Sequence, residues 1–367
     1  MKVNFLDLKA QYQSIKPEVD NAIQKVLDSS AFAAGPFVKD FEMHFAQKHN
    51  IEFCVGVNSG TAALHAVMMA LDIKAGDEVI VPANTFFATP EAVSLNGAVP
   101  VFVDCEPDFY NIDPEQIEKS ITSKTKAIIA VHLYGQPAQM DSIKQIADKH
   151  DLFLIEDCAQ AHTARYHEQS VGTFGIAGCF SFYPGKNLGA YGEGGAIITR
   201  DESLYKKLMM IRDHGMQQKY HHDILGHNYR MEGMQGAILD VKLNYIDQWT
   251  DIRRKNAEFY DKHLSACKDI ITPKAMNNVK HVYHLYVIRT TNRDQLQQYL
   301  KENGVFTGIH YPIPCHLQKA YNYLGYQKGD FPVTEAQADQ LLSLPMSEQL
   351  TEIEIQYAAD TIKKYFK

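Results

Sequence analysis

Cysteine and tryptophan are scarce in this sequence of 367 residues, which contains six cysteines and one tryptophan. The cysteines are scattered, and no two of them form a C-x-x-C pair. Several fall inside apolar runs, where cysteine behaves as a small hydrophobic residue. This pattern argues against a disulfide framework and against a zinc knuckle, and it fits a reducing compartment.

Basic charge and long apolar runs are also lacking. Lysine and arginine number 36 against 44 acidic residues, so the net charge is −8 and no basic stripe marks a nucleic-acid surface. No run of about eighteen apolar residues occurs, as a membrane span would need. The first 16 residues include Asp7 and no apolar stretch typical of a signal peptide. We therefore expect no nucleic-acid partner, no membrane association and a cytoplasmic location.

Two further motifs are missing. No G-x-G-x-x-G follows the first predicted strand, which argues against an NAD-binding Rossmann protein. The polar segment 212–231 holds four histidines, but none has the helical His-x-x-x-His spacing with a nearby carboxylate that would indicate a metal site. We predict no metal.

What the sequence does contain is a repeated alternation of apolar strand-like runs with helical segments. Such a pattern is typical of an α/β protein with a mainly parallel sheet covered on both faces. The predicted strands are residues 52–57, 78–82, 99–104, 127–131, 152–156, 178–183 and 281–289. The predicted helices are residues 15–27, 36–48, 58–71, 85–95, 114–120, 140–150, 235–260 and 351–365, after an extended arm that ends near residue 13. A chain of this length can form one large domain and a smaller one, and we place the large domain at 1–245 and a smaller α+β domain at 246–367.

Three polar groups fall at the carboxyl ends of predicted strands, where α/β sheets bind ligands. Lys186 lies in a glycine-rich loop, where burial would lower its pKa toward neutrality, as Schiff-base chemistry requires. Ser59-Gly60-Thr61 opens a helix and offers free N–H groups and a positive dipole end to a phosphate. Asp157 supplies a carboxylate. Singly these signals are weak, because loop lysines are mostly solvated and helix N-caps are common.

Together the three groups match one cofactor. Pyridoxal phosphate needs an amine for its aldehyde, an anion for its ring nitrogen and N–H donors for its phosphate. We therefore predict that Lys186, Asp157 and Ser59 to Thr61 form a pyridoxal 5'-phosphate site.

Seven motifs in order also resemble the DegT-type sugar aminotransferases, a branch of the fold-type-I pyridoxal-phosphate enzymes. The resemblance covers nearly the whole chain and implies a large domain with a mainly parallel seven-stranded sheet. The motifs are Asn58-Ser59-Gly60-Thr61, Pro82-Ala83-Asn84-Thr85-Phe86, His132-Leu133-Tyr134-Gly135, Glu156-Asp157-Cys158-Ala159-Gln160, Ser181-Phe182-Tyr183-Pro184-Gly185-Lys186, Gly192-Glu193-Gly194-Gly195 and Gly226-His227-Asn228-Tyr229-Arg230-Met231.

The resemblance implies roles for individual residues of the cofactor site. Lys186 would bond the cofactor and act as general base and acid, while Asp157 would pair with the pyridine nitrogen. Gln160 would hydrogen-bond the ring's phenolic oxygen and Phe86 would stack on the ring, although Phe86 also suits a core position. Ser59, Gly60, Thr61 and Ser181 would hold the phosphate. Asn228 would reach that phosphate from a second subunit, which implies a homodimer with shared active sites.

The resemblance also implies a substrate cleft. Segment 212–231 would cross to the partner subunit, where Lys219 and Arg230 would meet a nucleotide-sugar's phosphates or acidic groups. Tyr183, His310 and Tyr311 would line the cleft, although Gly308 to Pro314 also suits a structural turn. The expected reaction moves an amino group from glutamate, which leaves as 2-oxoglutarate, to a nucleotide-linked keto-sugar. Segments 310–317 and 325–332 look most like members that act on 3-keto sugars, which favours C-3 over C-4.

Two alternatives of the same fold remain to be weighed. A sugar dehydratase of this fold replaces the lysine with histidine, so Lys186 argues against it. A non-catalytic regulatory member would bind the cofactor without turnover, and the intact set of Asp157, Gln160 and Lys186 argues against that. The nucleotide carrier and the sugar's other substituents stay open, with 2-acetamido-3-keto and 3-keto-6-deoxy sugars equally compatible.

Overall fold

A seven-stranded sheet forms the centre of the computed structural model, which describes all 367 residues. The strands of the protein are β1 (Phe53–Val57), β2 (Glu78–Pro82), β3 (Val99–Val103), β4 (Thr125–Val131), β5 (Phe153–Asp157), β6 (Arg165–Tyr166), β7 (Gln169–Ser170), β8 (Ala177–Ser181), β9 (Gly195–Thr199), β10 (Met216–Gln218), β11 (His221–His222), β12 (Val279–Lys280), β13 (Tyr286–Arg289) and β14 (Leu341–Leu344). The order in the large sheet is β1-β9-β8-β5-β4-β2-β3. Five neighbouring strands, from β8 to β3, run parallel, and β9 is antiparallel to both β8 and β1. The predicted mainly parallel seven-stranded α/β sheet is confirmed, although β9 is not among the strands predicted from the sequence.

Helices cover both faces of the large sheet and build most of the C-terminal part. They are α1 (Leu8–Ser14), α2 (Lys16–Ser29), α3 (Pro36–His49), α4 (Gly60–Ala70), α5 (Ala88–Leu95), α6 (Pro114–Lys119), α7 (Met140–Lys149), α8 (Glu202–Ile211), α9 (Gly233–Leu243), α10 (Ile246–Leu264), α11 (Arg293–Glu302), α12 (Pro332–Gln340) and α13 (Glu352–Tyr365). The apolar runs became strands because a parallel strand buries both faces, as β4 does along most of its length.

Two predictions, one of an extended arm and one of a continuous helix, were wrong for local reasons. The predicted arm through residue 13 ends at Asp7, whose Oδ1 accepts a hydrogen bond from Ala10 N at 2.9 Å and caps the short helix α1. The predicted helix 235–260 is broken between α9 and α10. At the break, Asn244 Nδ2 donates to the carbonyl oxygens of Asp240 and Val241, which competes with helix continuation.

The predicted strand 281–289 is also shorter than expected, since only Tyr286–Arg289 pairs as β13 with β14. The residues before β13 form hydrogen bonds with the turn that follows β4 instead. Val282 N donates to Gly135 O at 3.0 Å and Leu285 N donates to Tyr134 O at 3.3 Å. These two hydrogen bonds hold the C-terminal part against the end of β4, where the motif His132 to Gly135 lies.

The chain's first residues pack with its C-terminal part. Val3 is fully buried in one apolar cluster with Ala257, Leu300 and Ile362. The division at residues 245 and 246 stays a prediction. No helix combines the length and the apolar composition that crossing a bilayer requires.

Candidate active site

A cavity of about 610 Å³ opens at the carboxyl ends of β5 and β8, beside the start of α4. It collects the predicted site residues from distant parts of the chain, and only Asn228, Lys219 and Arg230 lie outside its lining. The predicted residues that line it are Ser59, Gly60, Thr61, Phe86, Asp157, Gln160, Ser181, Tyr183, Lys186, His310 and Tyr311. The fold therefore brings together the site residues that were predicted from their positions at the ends of strands.

Lys186 is partly buried in the loop between β8 and β9. Its backbone N–H donates to Tyr183 O at 2.9 Å, and Ala190 N donates to Phe182 O at 2.8 Å. Hydrogen bonds within the loop therefore fix its conformation. A Cβ on Gly189 would lie 2.3 Å from Pro184 O, which explains the glycine at that position. Burial lowers the pKa of Lys186 to about 8, against the opposing effect of the nearby Asp157 charge. A lysine with this pKa offers a larger share of neutral, nucleophilic amine near neutral pH.

Asp157 ends β5 and is 6% exposed. Its Oδ2 accepts a hydrogen bond from Thr89 Oγ1 at 2.8 Å, and its Oδ1 accepts one from Ala159 N at 3.1 Å. Thr89 Oγ1 lies 2.9 Å from Thr85 Oγ1, so a chain of two hydroxyls leads from Thr85, just before α5, to the carboxylate. These bonds fix a carboxylate at the cavity wall, where it suits a cationic ring nitrogen.

Gln160 is held at both ends of its amide. Its Oε1 accepts a hydrogen bond from Tyr134 N at 2.6 Å, and its Nε2 donates to Tyr311 Oη at 3.1 Å. The Tyr311 ring lies 5.4 Å from that of Phe86, which is 54% exposed. Phe86 is thus an exposed aromatic side chain on the cavity wall, not a core residue.

The start of α4 has the close packing that a phosphate cradle needs. Ser59 Oγ accepts a hydrogen bond from Ala62 N at 3.0 Å and caps the helix. The N–H groups of Gly60 and Thr61 belong to the first turn, which has no intrahelical acceptors. A Cβ on Gly60 would lie 2.7 Å from Ser181 Cβ, so glycine leaves these amides accessible between the two strand ends. Free N–H donors at the positive end of a helix dipole fit a phosphate.

His310 and Tyr311 form the wall contributed by the C-terminal part. His310 Nδ1 lies 2.8 Å from Ser343 Oγ, and its carbonyl oxygen accepts a hydrogen bond from Tyr134 Oη. Burial, with a smaller contribution from the Lys186 charge, lowers the pKa of His310 to about 4. Burial also raises the pKa of Tyr311. Both side chains are therefore neutral near pH 7 and offer hydrogen bonds rather than charge.

The other three predicted residues lie on the segment that follows α8. Asn228 O accepts a hydrogen bond from Asn58 Nδ2 at 3.2 Å, and Arg230 forms an ion pair with Asp213. The Lys219 ammonium lies 5.1 Å from the centre of the Tyr220 ring, which is 79% exposed. None of the three side chains lines the cavity of its own chain.

Several residues of the lining and its support have no role predicted from the sequence. Phe5, Leu6, Glu193 and His284 line the cavity, and Thr89 supports Asp157 from behind. The spacing of Thr85 and Thr89, four residues apart after a strand end, was a usable signal for the hydroxyl chain. Phe5 and Leu6 carried none, because their place depends on pairing with residues 304–306.

A buried cluster of His132, Glu156 and Cys158 lies behind Asp157 and has metal-ligand residue types. The histidine nitrogens and the carboxylate oxygens of this cluster already have partners. His132 Nε2 lies 3.0 Å from Glu156 Oε2, and His132 Nδ1 accepts a hydrogen bond from Ala138 N. Glu156 also accepts hydrogen bonds from the N–H groups of residues 172, 174 and 175. The cluster fits a brace that joins β4, β5 and the segment before β8.

Comparisons with known proteins identify a family that the chain matches over nearly its whole length. The model of the DegT/DnrJ/EryC1/StrS aminotransferase family matches residues 13–363. The chain is 46% identical to a pleiotropic regulatory protein of Geobacillus stearothermophilus, over 100% of this chain and 99% of that protein. It is 42% identical to the dTDP-3-amino-3,4,6-trideoxy-α-D-glucose transaminase of Streptomyces venezuelae, over 99% and 96% of the two chains.

Solved structures agree as well. The crystal structure of S. venezuelae DesV in complex with a ketimine intermediate superposes with a TM-score of 0.97 at 42% identity, covering 99% of this chain and 98% of that one. Bacillus subtilis NtdA, solved with bound PMP, gives 0.90 at 32% identity, over 99% and 85%. The cofactor is pyridoxal phosphate, and the amine, carboxylate and amide cradle described above fit it. The protein is an aminotransferase, and it belongs to the DegT/DnrJ/EryC1/StrS aminotransferase family.

Proposed function

We propose that this enzyme transfers the amino group of glutamate to C-3 of a nucleotide-linked 3-keto sugar, and that it does so as a homodimer with shared active sites. The observation that carries the proposal is the juxtaposition of Lys186 and Asp157 in one large cavity. The product would be an amino sugar for a surface polysaccharide or a glycosylated metabolite.

The roles of the residues follow from their environment. Bound pyridoxal phosphate supplies an electron sink for the carbanion that forms when a substrate proton leaves. Lys186, with its lowered pKa, would hold the cofactor and carry that proton. Asp157 would keep the ring nitrogen protonated, because Thr89 and Ala159 N hold its carboxylate in place. Gln160 would orient the ring's oxygen, and Phe86 would cover the ring.

The charge of the cavity supports a shared site. Lys186 is the only lysine or arginine in the lining, while Asp157 and Glu193 are both acidic. Glutamate and a nucleotide diphosphate carry several negative charges, so their binding calls for further cations. Lys219, Arg230 and Asn228 of a partner subunit would supply cations and an amide, since the same residues lie outside their own chain's cavity.

Relatives support the choice of a 3-keto sugar. One from Aneurinibacillus thermoaerophilus, 44% identical, is named for dTDP-3-amino-3,6-dideoxy-α-D-galactopyranose. One from Pseudomonas aeruginosa, 42% identical, is named a UDP-2-acetamido-2-deoxy-3-oxo-D-glucuronate aminotransferase. A GDP-perosamine synthase of Escherichia coli O157:H7 is less similar, at 34% identity. We propose amination at C-3 with either nucleotide, and amination at C-4 is the alternative.

A regulatory protein without turnover is the second candidate, and the name of the Geobacillus relative is what favours it. A protein that only bound the cofactor would not need a lysine whose pKa is lowered toward neutrality, as proton transfer to and from a substrate requires. The complete set of Lys186, Asp157 and Gln160 therefore favours the enzyme.

The test runs the reaction backwards with stable amino sugars. The enzyme loaded with pyridoxal phosphate is incubated with 2-oxoglutarate and either dTDP-3-amino-3,6-dideoxy-α-D-galactopyranose or the 3-amino product of a UDP-2-acetamido-3-oxo sugar. Formation of glutamate from one of them, absent in Lys186→Ala, is the expected result. Turnover only with a 4-amino sugar would move the reaction to C-4, and conversion by no sugar would favour the regulatory candidate.

A further inference from the structure

We infer that Phe5 and Leu6, in the N-terminal segment Val3–Asp7, form a wall of the sugar subsite and contact the acceptor sugar. The inference rests on the proposed function and deepens it. It assigns a substrate-contacting role to residues that precede every motif of the sequence.

The segment is held at both ends. Val3 N donates to Gly304 O at 2.8 Å, and Phe306 N donates to Val3 O at 3.0 Å, so Val3 pairs with the C-terminal part. At the other end Asp7 caps α1, and on that helix Gln11 Nε2 donates to Glu348 Oε1 at 2.5 Å. Residues 4–6 are therefore stretched between two anchors and cannot leave the cavity without breaking them.

The two side chains between the anchors face the catalytic residues. The Phe5 ring stacks on the His310 ring, with centroids 5.8 Å apart and an interplanar angle of 19°. Leu6 Cδ1 lies 3.4 Å from where a Cβ on Gly185 would stand, directly before Lys186. Phe5 and Leu6 are partly buried and line the same cavity as Lys186. They bridge the C-terminal wall and the lysine loop.

The chemistry of this wall selects between the two substrates. Glutamate carries two carboxylates and gains little from an apolar surface. A sugar ring has faces of C–H groups, which pack on aromatic and aliphatic side chains. The cavity, at about 610 Å³, has the size that pockets for ligands much larger than an amino acid have. The wall therefore belongs to the sugar half of the reaction.

The experiment compares wild type, Phe5→Ala, Phe5→Leu and the control Leu8→Ala. Leu8 lies on the same stretch of chain but is 40% exposed and outside the lining. Thermal melting first establishes that each variant folds. Calorimetry on the pyridoxamine form of the enzyme, which cannot exchange an amino group with an amino sugar, then measures the dissociation constants of dTDP-3-amino-3,6-dideoxy-α-D-galactopyranose, of a UDP-linked 2-acetamido-3-amino sugar, and of free dTDP and UDP. Absorbance measures the rate at which glutamate converts the bound cofactor.

We expect Phe5→Ala to weaken binding of the amino-sugar nucleotide about tenfold, the size of one lost apolar contact. The free nucleotide should bind within twofold of wild type, and so should the rate with glutamate. Phe5→Leu should recover part of the loss, and Leu8→Ala should match wild type. Equal losses for the sugar-linked and free nucleotide, a slowed glutamate reaction, or no change in binding would overturn the inference. If wild type itself neither reacts with glutamate nor binds either sugar, the proposed function fails and the inference with it.

Discussion

Thr89 Oγ1 donates a hydrogen bond of 2.8 Å to Asp157 Oδ2, which joins a fully buried hydroxyl on α5 to the carboxylate at the end of β5. Without this partner the carboxylate would keep only its hydrogen bond from Ala159 N and could tilt away from the cofactor's ring nitrogen. The hydroxyl therefore helps to set the direction in which the only buried carboxylate of the cavity points.

Thr89→Val removes that hydrogen bond and keeps the shape of the side chain. We expect kcat to fall about tenfold, because a lost hydrogen bond to a charged group is worth roughly 1.5–3 kcal/mol and only part of it bears on the reaction. The KM for glutamate should change little. Thr89→Ser retains the hydroxyl and is the control, expected within threefold of wild type. An equal loss in both variants would assign the effect to packing.

The lowered pKa of the Lys186 amine should make the stability of the cofactor-free enzyme depend on pH. Burial lowers its pKa from 10.5 to about 8, so between these values the unfolded chain binds more protons and stability rises with pH. Below pH 8 the buried charge is present and costs up to about 3 kcal/mol. Lys186→Met should therefore be more stable than wild type at pH 7, by a margin that shrinks toward pH 10.

Urea unfolding of the cofactor-free proteins at pH 7 and pH 10 measures this margin. Lys39→Met is the matched control, since Lys39 is an exposed lysine of α3 and its replacement should change stability by less than about 0.5 kcal/mol at either pH. A Lys186→Met margin that is absent at pH 7, or that grows toward pH 10, would contradict the assignment of a buried amine.

A side chain at position 60 should weaken binding of the cofactor's phosphate. An added methyl group would lie 2.7 Å from Ser181 Cβ, so Gly60→Ala must push α4 and β8 apart at the cradle. We expect the affinity for pyridoxal phosphate to fall by at least tenfold. Pyridoxal, which lacks the phosphate, is the control ligand, and its weaker affinity should stay the same. Parallel losses for both ligands would place the damage outside the phosphate site.

We expect Glu156, in the buried cluster behind the active site, to stabilise the fold. It accepts hydrogen bonds from three backbone N–H groups and pairs with His132. Glu156→Gln places an amide donor against those donors, and we expect a loss of about 3 kcal/mol in the free energy of unfolding. Glu52→Gln alters an exposed ion pair with Arg200 and should cost less than about 1 kcal/mol. EDTA should leave the melting temperature unchanged, and a fall on chelation would indicate a metal.

If Asn228 acts in the partner's active site, a variant at Asn228 and a variant at Lys186 should complement each other in mixed dimers. The Asn228 side chain lies outside its own chain's cavity, so a shared site needs it from the partner. Mixing inactive Lys186→Ala with Asn228→Ala should restore about a quarter of wild-type activity, because hybrid dimers form one intact site. Native mass spectrometry confirms that subunits exchange. Exchange without any recovery would count against a shared site.

The sequence predicted those features that depend on local pattern. The apolar runs specified the strands because a parallel strand is buried on both faces, and the strand ends then located Lys186, Asp157 and Ser59 to Thr61. Features that depend on distant pairing escaped it. Phe5 enters the cavity only because Val3 pairs with residues 304–306, and Thr89 reaches Asp157 only because α5, which packs against β2 and β3, begins near the end of β5.

The absorbance spectrum of the purified enzyme tests the central claim most directly. The wild type loaded with pyridoxal phosphate should show the visible band of the lysine-bound cofactor, and excess glutamate should bleach it to the spectrum of the pyridoxamine form. Lys186→Ala should show neither the band nor the bleaching. A wild type without the band even after addition of the cofactor, or with a band that glutamate leaves unchanged, would contradict the account.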